Sequence, residues 1–274
     1  MDSDAQKRSG PLPDVQAERT PEASAPLRRV GVREVRRPLR ALGASTVATI
    51  ELGVSLAAED RGAHMSRFAE ALEDLGELTP ETLRAFLGDL RGRMGAAEAE
   101  ARFAFPLFLP REAPVSGARG LLDVDVALMG VEGRGDEAAR VDLSVEVSVA
   151  SLCPCSRAVS DYGAHNQRGR VRMDVTLRHA AIPEVSELVA IAERNASAPV
   201  YPALKREDER VVTMAAYDRP AFVEDMVRGV ARELREDPRI AGFTVRVVNA
   251  ESIHPHDVFA EVVFSEGRFR GAER

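Results

Sequence analysis

Residues 141–150, VDLSVEVSVA, alternate apolar and polar side chains almost without a break. That is the period-two signature of a strand with one buried face. Residues 151–156, SLCPCS, follow at once, and then residues 163–168, GAHNQR. Cys153 and Cys155 are the only cysteines of the chain, and His165 comes ten residues after the second. Two thiols flanking one proline are poorly placed to bridge each other, because a disulfide wants Cα atoms roughly 4.4–6.8 Å apart with converging Cβ vectors. A strand-to-turn segment can instead aim one thiolate at a metal, and sulfur plus imidazole is a usual beginning for a transition-metal site. Taken alone, the pair reads equally as two small buried hydrophobes.

Outward from this strand the pattern is regular. Residues 170–177 alternate again, helical spacing covers residues 183–195 and 220–236, and strands are expected at 243–248 and 258–264. Phe222, Val223, Met226, Val227, Val230 and Leu234 make one face of the longer helix. The first half has the same order. Val30, Val32 and Val35 mark a strand, and residues 45–57 a second. Two helices follow, at 64–75 and from Thr79-Pro80-Glu81 to Met94, then strands at 101–109 and 121–131. Thr79-Pro80-Glu81 combines a capping residue, a first-turn proline and an acid. Both halves therefore read ββααββ, and Gly62-Ala63-His64 recurs as Gly163-Ala164-His165. The expectation is an α+β fold of two tandem modules, residues 27–134 and 135–274. Residues 1–26 are rich in Pro, Ser, Ala and acids, hold too few large apolar groups to offset ordering entropy, and read as a disordered tail.

The net charge of −7 argues against nucleic acid or an anionic membrane as partner, since both need a basic surface. No apolar run reaches the roughly 20 residues of a spanning helix, and no signal-peptide core precedes the fold. Two cysteines in 274 residues fit a reducing compartment, so a cytoplasmic location is expected.

Three further polar clusters join the cysteine segment. Residues 204–210, LKREDER, read as a charged loop between helices, either a solvated turn or a site. Glu224 falls just inside the long helix and borders its apolar face, where a carboxylate needs a partner or a ligand, unless it is an ordinary first-turn acid. Residues 251–257, ESIHPHD, form a turn between two apolar strands and carry His254 and His256. His179 reads as plain surface. Thiol, imidazole and carboxylate converging from these loops would give a three- or four-ligand site with room for water.

The stretches SLCPCSRAVSDYGAHNQRGRV, YPALKREDERVVT, PAFVEDMVR, ESIHPHD and RGAHMSRF resemble the prokaryotic type IB GTP cyclohydrolase I family, over most of residues 28–265. The resemblance implies a tunnelling fold: two ββααββ modules with an antiparallel sheet, helices on one face, and oligomerisation into β-barrels. It implies a homo-oligomer, a tetramer, with active sites at subunit interfaces. The implied reaction hydrolyses GTP to 7,8-dihydroneopterin triphosphate and formate, the entry to folate and related pterins. The implied metal ligands are Cys153, His165, Glu209 and His254, with Glu207 an alternative to Glu209. Catalytic roles fall on Cys153, Cys155, His254, His256 and Glu251. Glu224 corresponds to the acid that anchors guanine, and Lys205, Arg206, Arg168, His64 and Arg67 to contacts with the triphosphate or to supporting groups. The implied cofactor is a divalent ion, zinc, manganese or iron(II), with no organic cofactor. Left open are an archaeal-type enzyme giving a cyclic phosphate, the tunnelling-fold nitrile reductase of queuosine biosynthesis, and a non-enzymatic metal or nucleotide binder.

Overall fold

The computed structural model describes residues 14–15, 25–133, 139–178 and 182–265, and the backbone of 268–269. Most of the 1–26 tail, the expected module boundary at 134/135 and His179 lie outside these residues.

One lateral row of side chains shows how the sheet is built. Val35 faces Ile50, and the row continues through Phe103, Leu128, Leu143, Val175, Phe243 and Phe264, each opposite the next on the neighbouring strand. The strands that carry it are β1 (Leu27–Ala41), β2 (Ala44–Leu56), β3 (Ala99–Glu112), β4 (Arg119–Glu132), β5 (Arg140–Leu152), β6 (Asn166–Leu177), β8 (Ile240–Asn249) and β9 (Val258–Ser265). They form one antiparallel sheet in that order, with β10 (Arg268–Phe269) beyond β9, and the two-residue β7 (Ala198–Pro199) pairs with β5. The adjacent row is Arg36, Thr49, Ala104, Ala127, Ser144, Asp174, Thr244 and Val263. A slip of one residue in any strand would exchange the two rows, so the apolar row fixes the register.

Helices cover the apolar row. In the first half α1 (Met65–Glu73) and α2 (Pro80–Met94) contribute Phe68, Leu72, Leu83, Leu87 and Leu90 to the core. Thr79 caps α2 reciprocally with Thr82, and Phe86 meets Phe103 edge-on, ring centroids 5.8 Å apart. In the second half α4 (Val185–Arg194) and α6 (Val223–Glu236) contribute Leu188, Val189, Met226, Val227, Val230 and Leu234. The opposite, polar face is open, and Arg36, Arg102, Asp125, Glu146 and Arg172 line a broad cavity of about 490 Å³ on it.

The first half keeps the expected ββααββ order. The second carries two helices more. The segment 204–210, expected as a loop, begins helix α5 (Arg206–Asp218), and residues after Cys153 form a single-turn helix, α3 (Pro154–Val159). Helix α5 buries only Asp208 and Ala216, so it has no apolar stripe from which a helical period could be read. Among the described residues no helix is long and apolar enough to cross a membrane.

The two halves are clamped by a half-buried ion pair. Arg111 of β3 donates to both carboxylate oxygens of Glu193 on α4, at 3.1 and 2.5 Å, and its guanidinium lies 5.7 Å from the Tyr201 ring centroid. The two side chains are only 18% and 11% exposed. Arg111→Met strands the carboxylate, which in such surroundings costs about 3 kcal/mol; a denaturant midpoint unchanged from wild type would contradict this.

Gly31 on β1 is required by close approach. A Cβ there would sit 1.9 Å from the Leu52 carbonyl oxygen, a backbone atom that moves only if β1 and β2 part. Gly31→Ala is expected to cost about 2 kcal/mol, seen as a melting temperature roughly 5 °C lower.

Candidate active site

The end of β5 delivers Ser151, Leu152 and Cys153 beside the beginning of β6, where Leu152 pairs with Asn166. Cys153 stops the strand and becomes the N-cap of α3, with Pro154 at the first helical position, where its missing N–H is harmless. The cap fastens His165 from both sides. The Cys153 N–H donates to the His165 carbonyl at 3.1 Å, and the His165 N–H donates to Ser156 Oγ at 3.2 Å. Cys153 Sγ in turn accepts the Ser156 N–H at 3.4 Å. Cys153 is half-buried and Cys155 exposed, so the first thiol faces the fold and the second faces solvent.

His165 enters a polar chain. Its Nδ1 lies 2.9 Å from Gln167 Oε1, and Gln167 Nε2 donates to Glu251 Oε1 at 3.3 Å. Glu251 Oε2 stands 3.9 Å from Nδ1, and the Ser252 hydroxyl 3.4 Å from it. The first residues of the ESIHPHD turn thus lie against His165. The rest of the turn projects outward. His254 and His256 are both exposed and stack on each other, ring centroids 5.2 Å apart and 14° from parallel.

Helix α5 stands on a buried carboxylate. Asp208 is fully buried and accepts N–H bonds from Val115, Ser116 and Lys205 at 2.8–2.9 Å, plus the Ser116 hydroxyl. Burial alone would raise its pKa, but the Ser116 hydroxyl and the three N–H groups outweigh that and hold the carboxyl well below the usual carboxylate range. Its neighbours Glu207 and Glu209 are exposed, as are Lys205 and Arg206. From α3, the Arg157 guanidinium packs over the Tyr217 ring of α5 at 4.6 Å, joining the cysteine helix to the acidic one.

One expectation, the place of Glu224 beside an apolar face, needs correcting, and the single chain places the other expected residues as follows. Among the described residues no three His, Cys, Asp or Glu side chains are gathered closely enough to hold a metal ion. The four-ligand set Cys153, His165, Glu209 and His254 is therefore not assembled within the single chain, because Glu209 and His254 sit on exposed segments that no packing draws inward. Glu224 does not border the apolar face of α6; it is exposed in the first turn, and Val223, Met226 and Val227 take the buried positions. Arg67 donates to the Arg93 carbonyl at 2.9 Å, a job at the end of α2, and His64 precedes α1 half-buried. Arg168 is exposed on β6, and its carbonyl accepts the Ala250 N–H at the entry to the ESIHPHD turn.

In kind, the donors fit a divalent ion. With Nδ1 engaged by Gln167, His165 has Nε2 left to ligate, beside a capping cysteine, the usual combination of an oriented imidazole and a sulfur. Reading from sequence missed Gln167, Ser156 and Asp208. Gln167 had a signal, since it stands two residues after His165 where the chain enters β6 in extended form, and so projects to the same side. Asp208 had none that separates it from the acids beside it.

The family model described as type I GTP cyclohydrolase folE2 matches residues 12–260. The chain belongs to that family. GTP cyclohydrolase FolE2 1 of Dechloromonas aromatica is 45% identical over 257 residues, covering 92% of this chain and 95% of its own. GTP cyclohydrolase FolE2 of Magnetococcus marinus is 44% identical over 263 residues, 94% of this chain and 96% of its own. Among solved structures, uricase from Arthrobacter globiformis superposes with a TM-score of 0.50 at 10% identity, covering 89% of this chain and 96% of that one. Urate oxidase from Bacillus sp. TB-90 gives 0.52 at 8% identity, with 87% and 99% covered. These two likenesses show the fold alone, the tunnelling fold. In this FolE2-family chain the fold sets the cysteine segment, the histidine turn and the acidic helix at the ends of β5, β8 and β7.

Proposed function

We propose that this protein is a GTP cyclohydrolase I of the type IB class, acting as a homotetramer with interface sites. It hydrolyses GTP to 7,8-dihydroneopterin triphosphate and formate with a divalent ion, zinc, manganese or iron(II), and no organic cofactor. The relatives' names support the substrate and reaction. The observation that supports the site most is the two-sided clamp of His165 by the capping turn at Cys153.

Cys153, His165, Glu209 and His254 are the residues that would hold the ion. When bound, it supplies the Lewis acidity that makes water nucleophilic enough to attack guanine C8. The exposed Glu224 carboxylate can accept from guanine N1–H and the exocyclic amine together, a bidentate match that selects the base. The C8–N9 bond then breaks, a second water cleaves the formamide to release formate, and the ribose carbons rearrange and close the new ring; each of these steps moves protons, for which Cys155, His254, His256 and Glu251 are suitable carriers. Lys205, Arg206 and Arg168 are exposed cations available to the triphosphate, and His64 and Arg67 would join them from another copy. Site residues spread over exposed segments, on a sheet whose β1 edge has no partner strand among the described residues, are what a second copy would close over.

The test is direct. Metal-stripped protein given GTP and manganese or zinc should yield a product that turns fluorescent as a pterin on oxidation. Chromatography separates a triphosphate from a cyclic phosphate, and Cys153→Ala should abolish turnover. No pterin with any divalent ion, together with normal metal binding by Cys153→Ala, would end this reading.

A further inference from the structure

We propose that Gln167 is a positioning residue that sets the tautomer of His165, with Glu251 as the anchor of the relay. Glu251 is 10% exposed, and its Oε1 lies 3.3 Å from one end of the Gln167 amide. A carboxylate oxygen accepts, so the end that faces it is the NH₂ group. The amide oxygen is thereby turned to His165 Nδ1, at 2.9 Å. An amide oxygen can only accept, so Nδ1 carries the hydrogen and the lone pair lies on Nε2. Flipping the amide would put two acceptors face to face at Glu251, and it is this contact that fixes the amide. Among the described residues the other group near Nδ1 with a proton to give, the Ser252 hydroxyl, is more distant at 3.4 Å and free to rotate, so it does not compete for control of the ring.

The consequence for the chemistry is a ring that need not be reoriented or change tautomer before Nε2 ligates. This second part rests on the metal reading above, whereas the tautomer itself does not.

The experiment uses full-length, metal-free protein with ¹⁵N-labelled histidine rings, the His165 signals being assigned by their loss in His165→Ala. Wild type is expected to show a protonated Nδ1 and a bare Nε2 at His165. Gln167→Met, of similar shape without the amide, should give mixed tautomers. Its zinc and manganese affinities, measured by chelator competition, should be about 10- to 100-fold weaker at an unchanged melting temperature. A wild-type His165 protonated at Nε2, or a Gln167→Met variant with unchanged tautomer and affinity, overturns the inference. If His165→Ala binds both metals like wild type, the metal reading fails, and the tautomer comparison alone decides the role of Gln167.

Discussion

Asp208→Ala is expected to lower the melting temperature by about 5 °C and to remove most of the proposed cyclohydrolase activity. The carboxylate holds the loop between β3 and β4, through Val115 and Ser116, against the first turn of α5, through Lys205. Alanine leaves three N–H groups without an acceptor in a closed pocket, and each such group costs its desolvation in full. Helix α5 buries nothing else but Ala216, so little remains to hold its first turn. Glu209, the next residue, is the proposed ligand, so stability and metal affinity should fall together. Asp208→Asn keeps the shape but turns an NH₂ toward donors, and should fall between. An alanine variant that melts within about 1 °C of wild type and binds manganese normally would show that the helix is held by something else.

The second large effect lies beneath the site. Ser151 and Asn249 are almost wholly buried, and Asn249 Nδ2 donates to Ser151 Oγ at 2.9 Å. Ser151 Oγ donates to the Ala221 carbonyl at 3.2 Å, and the Ala221 N–H returns to the Leu152 carbonyl at 3.2 Å. Three segments meet here: the strand end before Cys153, the lead into α6 with Glu224, and the strand end before Glu251. Asn249 Oδ1 has no partner among the described residues, so loss of the serine orphans the whole amide. Ser151→Ala is therefore expected to cost about 2–3 kcal/mol, far more than a serine on the surface. Asn249→Leu alone leaves the Ser151 hydroxyl able to keep its bond to Ala221. In the double variant the amide is gone, and the two costs should fall short of their sum by about 1 kcal/mol or more. Strict additivity in denaturant titrations would deny the coupling.

Much of this architecture was legible in the chain. The alternation at 141–150 placed β5, Thr79-Pro80 placed the start of α2, and five of the six apolar positions read as one face placed α6; the sixth, Phe222, is instead the exposed N-cap of that helix. The failures share a cause. Helix α5 is built on one buried acid and a capping turn rather than an apolar stripe, so LKREDER looked like a charged loop. Helix α3 has six residues, too few for a period to register, although Cys153-Pro154 had the form of a cap and first turn. Strand β1 runs on to Ala41, paired with β2 as far as Ala44, an extent that the arginines and Pro38 beyond Val35 obscure in the sequence. At the site, which residues would be neighbours was legible only for groups two apart on a strand. His165 meeting Glu251 depends on β6 pairing with β8, a choice of neighbour that no local pattern encodes.

The outer border of the sheet has a consequence for how the protein behaves in a crowded solution. Strand β1 offers 15 residues of border, enough to template indiscriminate stacking between chains, yet it bears Arg28, Arg29, Arg33, Arg36, Arg37 and Arg40 and a proline without an N–H. Arg29, Arg33, Arg37 and Arg40 are ion-paired with Glu51, Glu34, Glu73 and Glu77, so a docking strand meets hydrated charged pairs and the missing N–H of Pro38 rather than a bare apolar edge. The arginines act as a filter on company, and neutralising them would be felt first as precipitation.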